Sequence, residues 1–202
     1  MPNPWEPPLF PDHGDNDNKT LFESIGRALT AWEDLESFLS HLYAGLSEQS
    51  LYNQEAIYRY GSFCNVSIRA RDLRASGEAY FIKYPNQHLE GELCWIIKSF
   101  SGWSQRRNDV AHGVVMLIDI AKYPRISLMG ASTSWCLVPP HFKEEKHFAT
   151  NTPARILTSV EINRFSDAFW SLLRRVFALS QAVELPIYAS QRKLVVPPLL
   201  LG

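Results

Sequence analysis

The sequence predicts a mainly α protein: an antiparallel four-helix bundle with a small β-hairpin or three-stranded insertion between the third and fourth helices. Three observations carry that reading. Apolar residues recur at helical spacing in four separate stretches. Two of those stretches open on a capping box, Thr20–Glu23 and Thr158–Glu161. After Gly113 the pattern changes to short runs rich in β-branched residues, separated by turn-formers.

The chain begins with an arm over residues 1–19, rich in proline and acid, which Trp5, Leu9 and Phe10 are placed to pin to the body. The first helix is expected from Thr20. Leu21, Ile25, Leu29, Trp32, Leu35, Leu39, Leu42 and Leu46 give it the cleanest periodicity in the chain. A second helix is expected from about Asn53 to Ser76, with Gly77 as its stop and Arg69, Arg71 and Arg74 crowding its second half. Those arginines read as a solvated face or as a flank for an RNA backbone. Tyr80–Tyr84 reads as a short extended piece before Pro85. The third helix starts near Gln87 and carries Leu89, Leu93, Ile96, Ile97, Phe100, Trp103 and Val110, with Gly113 as a C′ stop. Gly102 in its middle costs about 1 kcal/mol relative to alanine, so it marks a close approach of backbone such as a subunit interface.

The insertion, about 114–138, comprises Val114–Ile120, Arg125–Met129 and Ser134–Val138. Pro139-Pro140 ends it, and a loop with His141, Lys143, Lys146 and His147 runs to Pro153. The fourth helix carries Ile162, Phe165, Phe169, Leu172, Leu173, Val176, Phe177 and Leu179, a stripe wide enough for deep burial. Residues 20–185 therefore read as one helical domain, followed by a tail over 186–202 that ends in Val-Val-Pro-Pro-Leu-Leu-Leu-Gly.

At 46% hydrophobic residues the chain can bury a real core, while 20% charged residues leave room for an apolar, partnered surface. A formal charge of -1 argues against a broad basic face for duplex DNA but leaves room for a local phosphate site. Cys64, Cys94 and Cys136 have neither metal-ligand nor disulfide spacing, and read as reduced thiols of a cytoplasmic protein. No stretch has the roughly 18 apolar residues of a membrane span. The N-terminus lacks the basic and apolar regions of a signal peptide. His41, His88, His141 and His147 have no partners at ligand spacing, so neither a metal nor another cofactor is expected.

The chemistry concentrates in Phe100-Ser-Gly-Trp-Ser-Gln-Arg-Arg-Asn-Asp-Val-Ala-His-Gly113. An arginine, a carboxamide and an imidazole stand together near one helix end. Arginine and histidine in a last helical turn also commonly satisfy free carbonyls. On a helix Asn108 and His112 lie nearly on one face, whereas Arg107 and His112 are about 140° apart. One helix alone does not focus Arg107 and His112 on a single atom.

The segment Arg107-Asn-Asp-Val-Ala-His112 resembles the signature of the HEPN superfamily, the higher eukaryotes and prokaryotes nucleotide-binding domain. That signature is an arginine, a polar residue directly after it, and a histidine after four to six intervening residues. The resemblance covers roughly residues 20–182 and omits both tails and the β-insertion. It implies a metal-independent endoribonuclease, with motifs of two protomers meeting in a homodimer to build one composite site. Arg107, Asn108 and His112 would be catalytic, and Ser104, Arg106 and Asp109 are candidates for substrate contact. Asp109 also reads as a salt-bridge partner, and Arg106 as a side chain facing water. RNA is the implied substrate, and a toxin or defence effector held by an antitoxin or regulatory protein is the implied setting. Two other readings compete. One is a non-catalytic helical dimer that binds a nucleotide or a protein. The other is a metal-dependent hydrolase using His112 and Asp109, against which the missing ligand spacing speaks.

Overall fold

In the computed structural model the described residues are 3, 6, 11, 14–47, 50–119, 133–140 and 155–193. These residues are mainly helical with one small antiparallel sheet: α1 (Asn18–Leu46), α2 (Gln54–Gly61), α3 (Val66–Lys83), α4 (Gln87–Ala111), β1 (Val114–Asp119), β2 (Thr133–Val138) and α5 (Ser159–Lys193). The chain divides into two compact units, Met1–Asp34 with Gly102–Ser171 and Leu35–Ser101 with Leu172–Gly202.

The first unit is closed by aromatic packing between helices. Trp32 of α1 meets Phe169 of α5 edge-on at 5.2 Å, and Trp103 of α4 meets the same ring at 5.9 Å. These offset geometries place a positive ring edge on a negative face and add to the area that the rings bury. Among the described residues the sheet has two antiparallel strands, in register Val114↔Val138 to Asp119↔Thr133. One of its faces packs Ile118, Cys136 and Val138 with Ile156, and Met116 leans on that cluster. The far edge of β2 is not left open. Trp135 exchanges backbone bonds with Asp15, and Leu137 does so with Leu157. The Arg125–Met129 run, the loop with His141, Lys143, Lys146 and His147, the arm anchors Trp5, Leu9 and Phe10, and the terminal Val195–Leu201 lie outside the described residues.

The start of α1 corrects the expected cap. Asp17, not Thr20, is the capping residue: its carboxylate accepts from the Thr20 N–H at 2.8 Å and from the Thr20 hydroxyl at 3.0 Å. Those two bonds, first the backbone one, hold the Asp17 carboxyl below its usual range. At α5 Glu161 reaches back as the predicted box requires, accepting from the Thr158 N–H at 3.0 Å, while the Thr158 hydroxyl donates to the same carboxylate. Asp15 adds a second acceptor there, taking the Ser159 N–H at 2.8 Å.

In the second unit the expected single helix over Asn53–Ser76 is two helices. Asn53 caps α2 and Asn65 caps α3, each accepting from an N–H three residues on at 2.9 Å. The intervening bend is tied by Arg69, whose Nε donates to the Phe63 carbonyl at 3.2 Å and whose Nη1 pairs with Glu36 at 2.6 Å. Arg69 is therefore a structural tie here rather than a flank for RNA. Gly77 does not stop the helix, and Tyr80–Lys83 are helical rather than extended. A Cβ at Gly77 would stand 2.1 Å from Leu93 Cδ2, so the glycine admits a neighbouring side chain. Tyr80 buries its ring and donates its hydroxyl to the Val183 carbonyl at 2.6 Å. The last helix continues through Pro186 to Lys193, past residue 185, the expected end of the helical domain.

Candidate functional site

The site residues occupy the final turns of α4, and the helical repeat sorts them by face. Trp103, Arg106, Asp109 and Val110 are buried, whereas Asn108 and His112 are exposed and Ser104 and Arg107 are half-buried. The His112 N–H closes the last turn on the Asn108 carbonyl at 3.1 Å, which stacks these two residues on one side as their spacing requires. The His112 side chain is exposed.

Gly113 ends the helix for a reason other than the predicted one. Its φ lies outside the left-handed region that a C′ glycine usually adopts. A Cβ there would instead stand 2.5 Å from Leu137 Cγ and within 2.9 Å of both Leu137 methyl carbons. The glycine lets β2 pack over the end of α4.

Arg106 and Asp109 face inward rather than toward a substrate. Arg106 Nη1 donates to Asp109 Oδ2 at 2.8 Å, and Arg155 Nη2 donates to Asp109 Oδ1 at 2.9 Å. Burial pulls the Arg106 guanidinium below its ordinary range, and the Asp109 charge opposes that shift. A carboxylate shared by two arginines is a fixed point. It ties the end of α4 to the segment that bonds Leu137 and leads into the Thr158 cap of α5. The salt-bridge reading of Asp109 therefore holds, whereas Arg106 is buried instead of facing water, and the two form the frame beneath the exposed residues. Arg155 escaped the sequence reading because it lies far from α4 along the chain, where no local spacing points to it.

Arg107 lies between frame and solvent, with 30% of its side chain exposed. Its Nη1 donates to Asn108 Oδ1 at 3.3 Å and its Nη2 to Glu33 Oε1 at 3.3 Å. Its Nε is buried and has no hydrogen-bond partner. Glu33, on α1, is a second residue that sequence reasoning missed.

Among the described residues no three His, Cys, Asp or Glu side chains converge to hold a metal ion, and no helix is long and apolar enough to cross a membrane. Comparisons with protein-family profiles, curated proteins and solved structures give no match to this chain.

Proposed function

We propose that this chain is a metal-independent endoribonuclease of HEPN type. Its helices would form the four-helix bundle of that family, and two protomers would join their α4 ends in one composite site. The observation that carries the reading is the sorting of side chains at the end of α4. Asn108 and His112 are exposed, Arg107 is partly so, and the neighbouring charges Arg106 and Asp109 are turned inward and fixed. The surface of this turn thus offers the residue types that cleavage of a phosphodiester needs.

The reaction would be in-line attack of a ribose 2′-oxygen on the adjacent phosphorus. His112 of one protomer takes the 2′-OH proton, the P–O5′ bond breaks, and a second histidine returns a proton to the 5′-oxygen. Imidazole suits both tasks because it titrates near neutral pH. Arg107 stabilises the charge that builds on the phosphoryl oxygens, and Asn108 orients the phosphate or His112. The products carry a 2′,3′-cyclic phosphate and a 5′-OH. A cytoplasmic toxin or defence effector, restrained by an antitoxin or regulatory protein, is the biological role that this chemistry suits.

Product-end analysis tests the proposal. RNA incubated with the protein in EDTA should yield cyclic phosphate and 5′-OH ends, and an all-deoxy strand should stay intact. Cleavage of DNA, or 5′-phosphate products, would exclude 2′-OH attack. The engagement of Arg107 by Asn108 and Glu33 favours one other reading, a non-catalytic helical dimer that binds a nucleotide or protein. That reading predicts a dimer in light scattering and no cleavage of any RNA.

A further inference from the structure

An arginine presents an oxyanion with a side-on fork made of Nε–H and one Nη–H, which accepts two oxygens of a carboxylate or phosphate at about 2.7–2.9 Å. At Arg107 that fork is half filled. Nη2 holds Glu33 Oε1 at 3.3 Å, long for a charge-assisted bond, and the buried Nε has no partner. The remaining donor, Nη1, is turned to Asn108. Glu33 has 63% of its side chain exposed, so water screens the pair and the carboxylate can swing away at little cost.

We propose that Glu33 is a built-in competitor for the Arg107 oxyanion site. Its carboxylate stands where a phosphodiester oxygen would bind and lowers the affinity of the fork for RNA. A phosphodiester oxygen can take Nη2 in place of the carboxylate. The competitor therefore discriminates. An anion held elsewhere along its chain displaces the carboxylate, and a weakly held one does not. This inference rests on the reading of Arg107 as a phosphate-binding residue. It adds a specificity-determining residue on α1 that the motif does not contain.

The test uses a fluorescein-labelled 2′-O-methyl RNA of about ten nucleotides, which lacks the nucleophilic hydroxyl and so reports binding without cleavage. Fluorescence anisotropy compares the full-length wild type with Glu33→Gln, Asp34→Asn and the double variant Glu33→Gln/Arg107→Gln. A pair of this exposure is worth at most about 1 kcal/mol, so Glu33→Gln should bind about three- to fivefold tighter. Asp34→Asn removes the same charge one residue along, without an ion pair to Arg107, and should stay within about twofold of wild type. The double variant should lose the gain. Affinity unchanged or weakened in Glu33→Gln, or an equal gain in Asp34→Asn, overturns the inference. Unmodified RNA in EDTA tests the parent reading separately. A Glu33→Gln gain without cleavage keeps the competitor and removes the nuclease, and cleavage without that gain does the reverse.

Discussion

Replacing Asp109 by asparagine removes one negative charge from the interior at nearly constant volume. The side chains of Asp109 and Arg106 are 6% and 7% exposed, and that of Arg155 is 23% exposed. Breaking a buried pair by deleting one partner costs about 3–5 kcal/mol, because the surviving charge stays desolvated. Most of that cost belongs to Arg106. Arg155 reaches solvent and is screened, so the lower part of the range, about 3–4 kcal/mol, is the fitting figure. For a chain of this size each kcal/mol moves the midpoint by about 2–4 °C, so Asp109→Asn should melt about 6–16 °C below wild type. Circular dichroism melts at neutral pH read this directly. Arg155→Gln should fall by less, since its pair is partly screened by solvent and Asp109 keeps Arg106 as a partner. An Asp109→Asn protein that melts within about 2 °C of wild type but loses RNA binding would refute the structural role and return Asp109 to the substrate face.

Alkylation of the native protein at neutral pH should modify the exposed Cys64 and Cys94 and spare Cys136, whose thiol is pushed up to about 12 by burial and by the charges of Asp15 and Glu161. Mass spectrometry counts the adducts, and rapid labelling of Cys136 would show that the cluster around it opens. Gly113→Ala should destabilise by about 1–3 kcal/mol, because the new methyl meets the Leu137 branch point and both its methyls, so the packed side chain must move. Gly26→Ala, within α1 and with nothing within 4 Å of its Cβ position, should stabilise by about 1 kcal/mol, and thermal melts of the two variants should move in opposite directions.

Much of this architecture is legible in the order of residues. Leu21 to Leu46 and Ile162 to Leu179 keep one apolar face over many turns, and burial of Leu35, Leu39, Leu42, Phe169, Leu172 and Val176 follows from it. The strand pair is legible because its β-branched runs leave the helical period. The position of Arg107, Asn108 and His112 at a helix end follows from the same pattern.

What was hidden depends on choices between local options or on distant neighbours. Asp17-x-x-Thr20 and Thr20-x-x-Glu23 are overlapping caps, and the residue that starts the helix is the one whose carboxylate reaches two donors on Thr20. Asn65 interrupts an otherwise continuous apolar pattern, and the break becomes visible only with its bond to the Ile68 N–H. Gly77 reads as a stop until Leu93 fills the space above it. Arg155 on Asp109 and Glu33 on Arg107 are pairings between separate elements, and no spacing along the chain encodes them.

The most direct measurement is the rate of RNA cleavage in EDTA by wild type beside His112→Ala, on tRNA and on mixed RNA. His112 is exposed at the end of α4, so its loss should leave the melting temperature in place. Loss of a general acid or base predicts a fall of about 100-fold or more in cleavage by the variant. Equal cleavage by the two proteins, or none by wild type, would contradict the account.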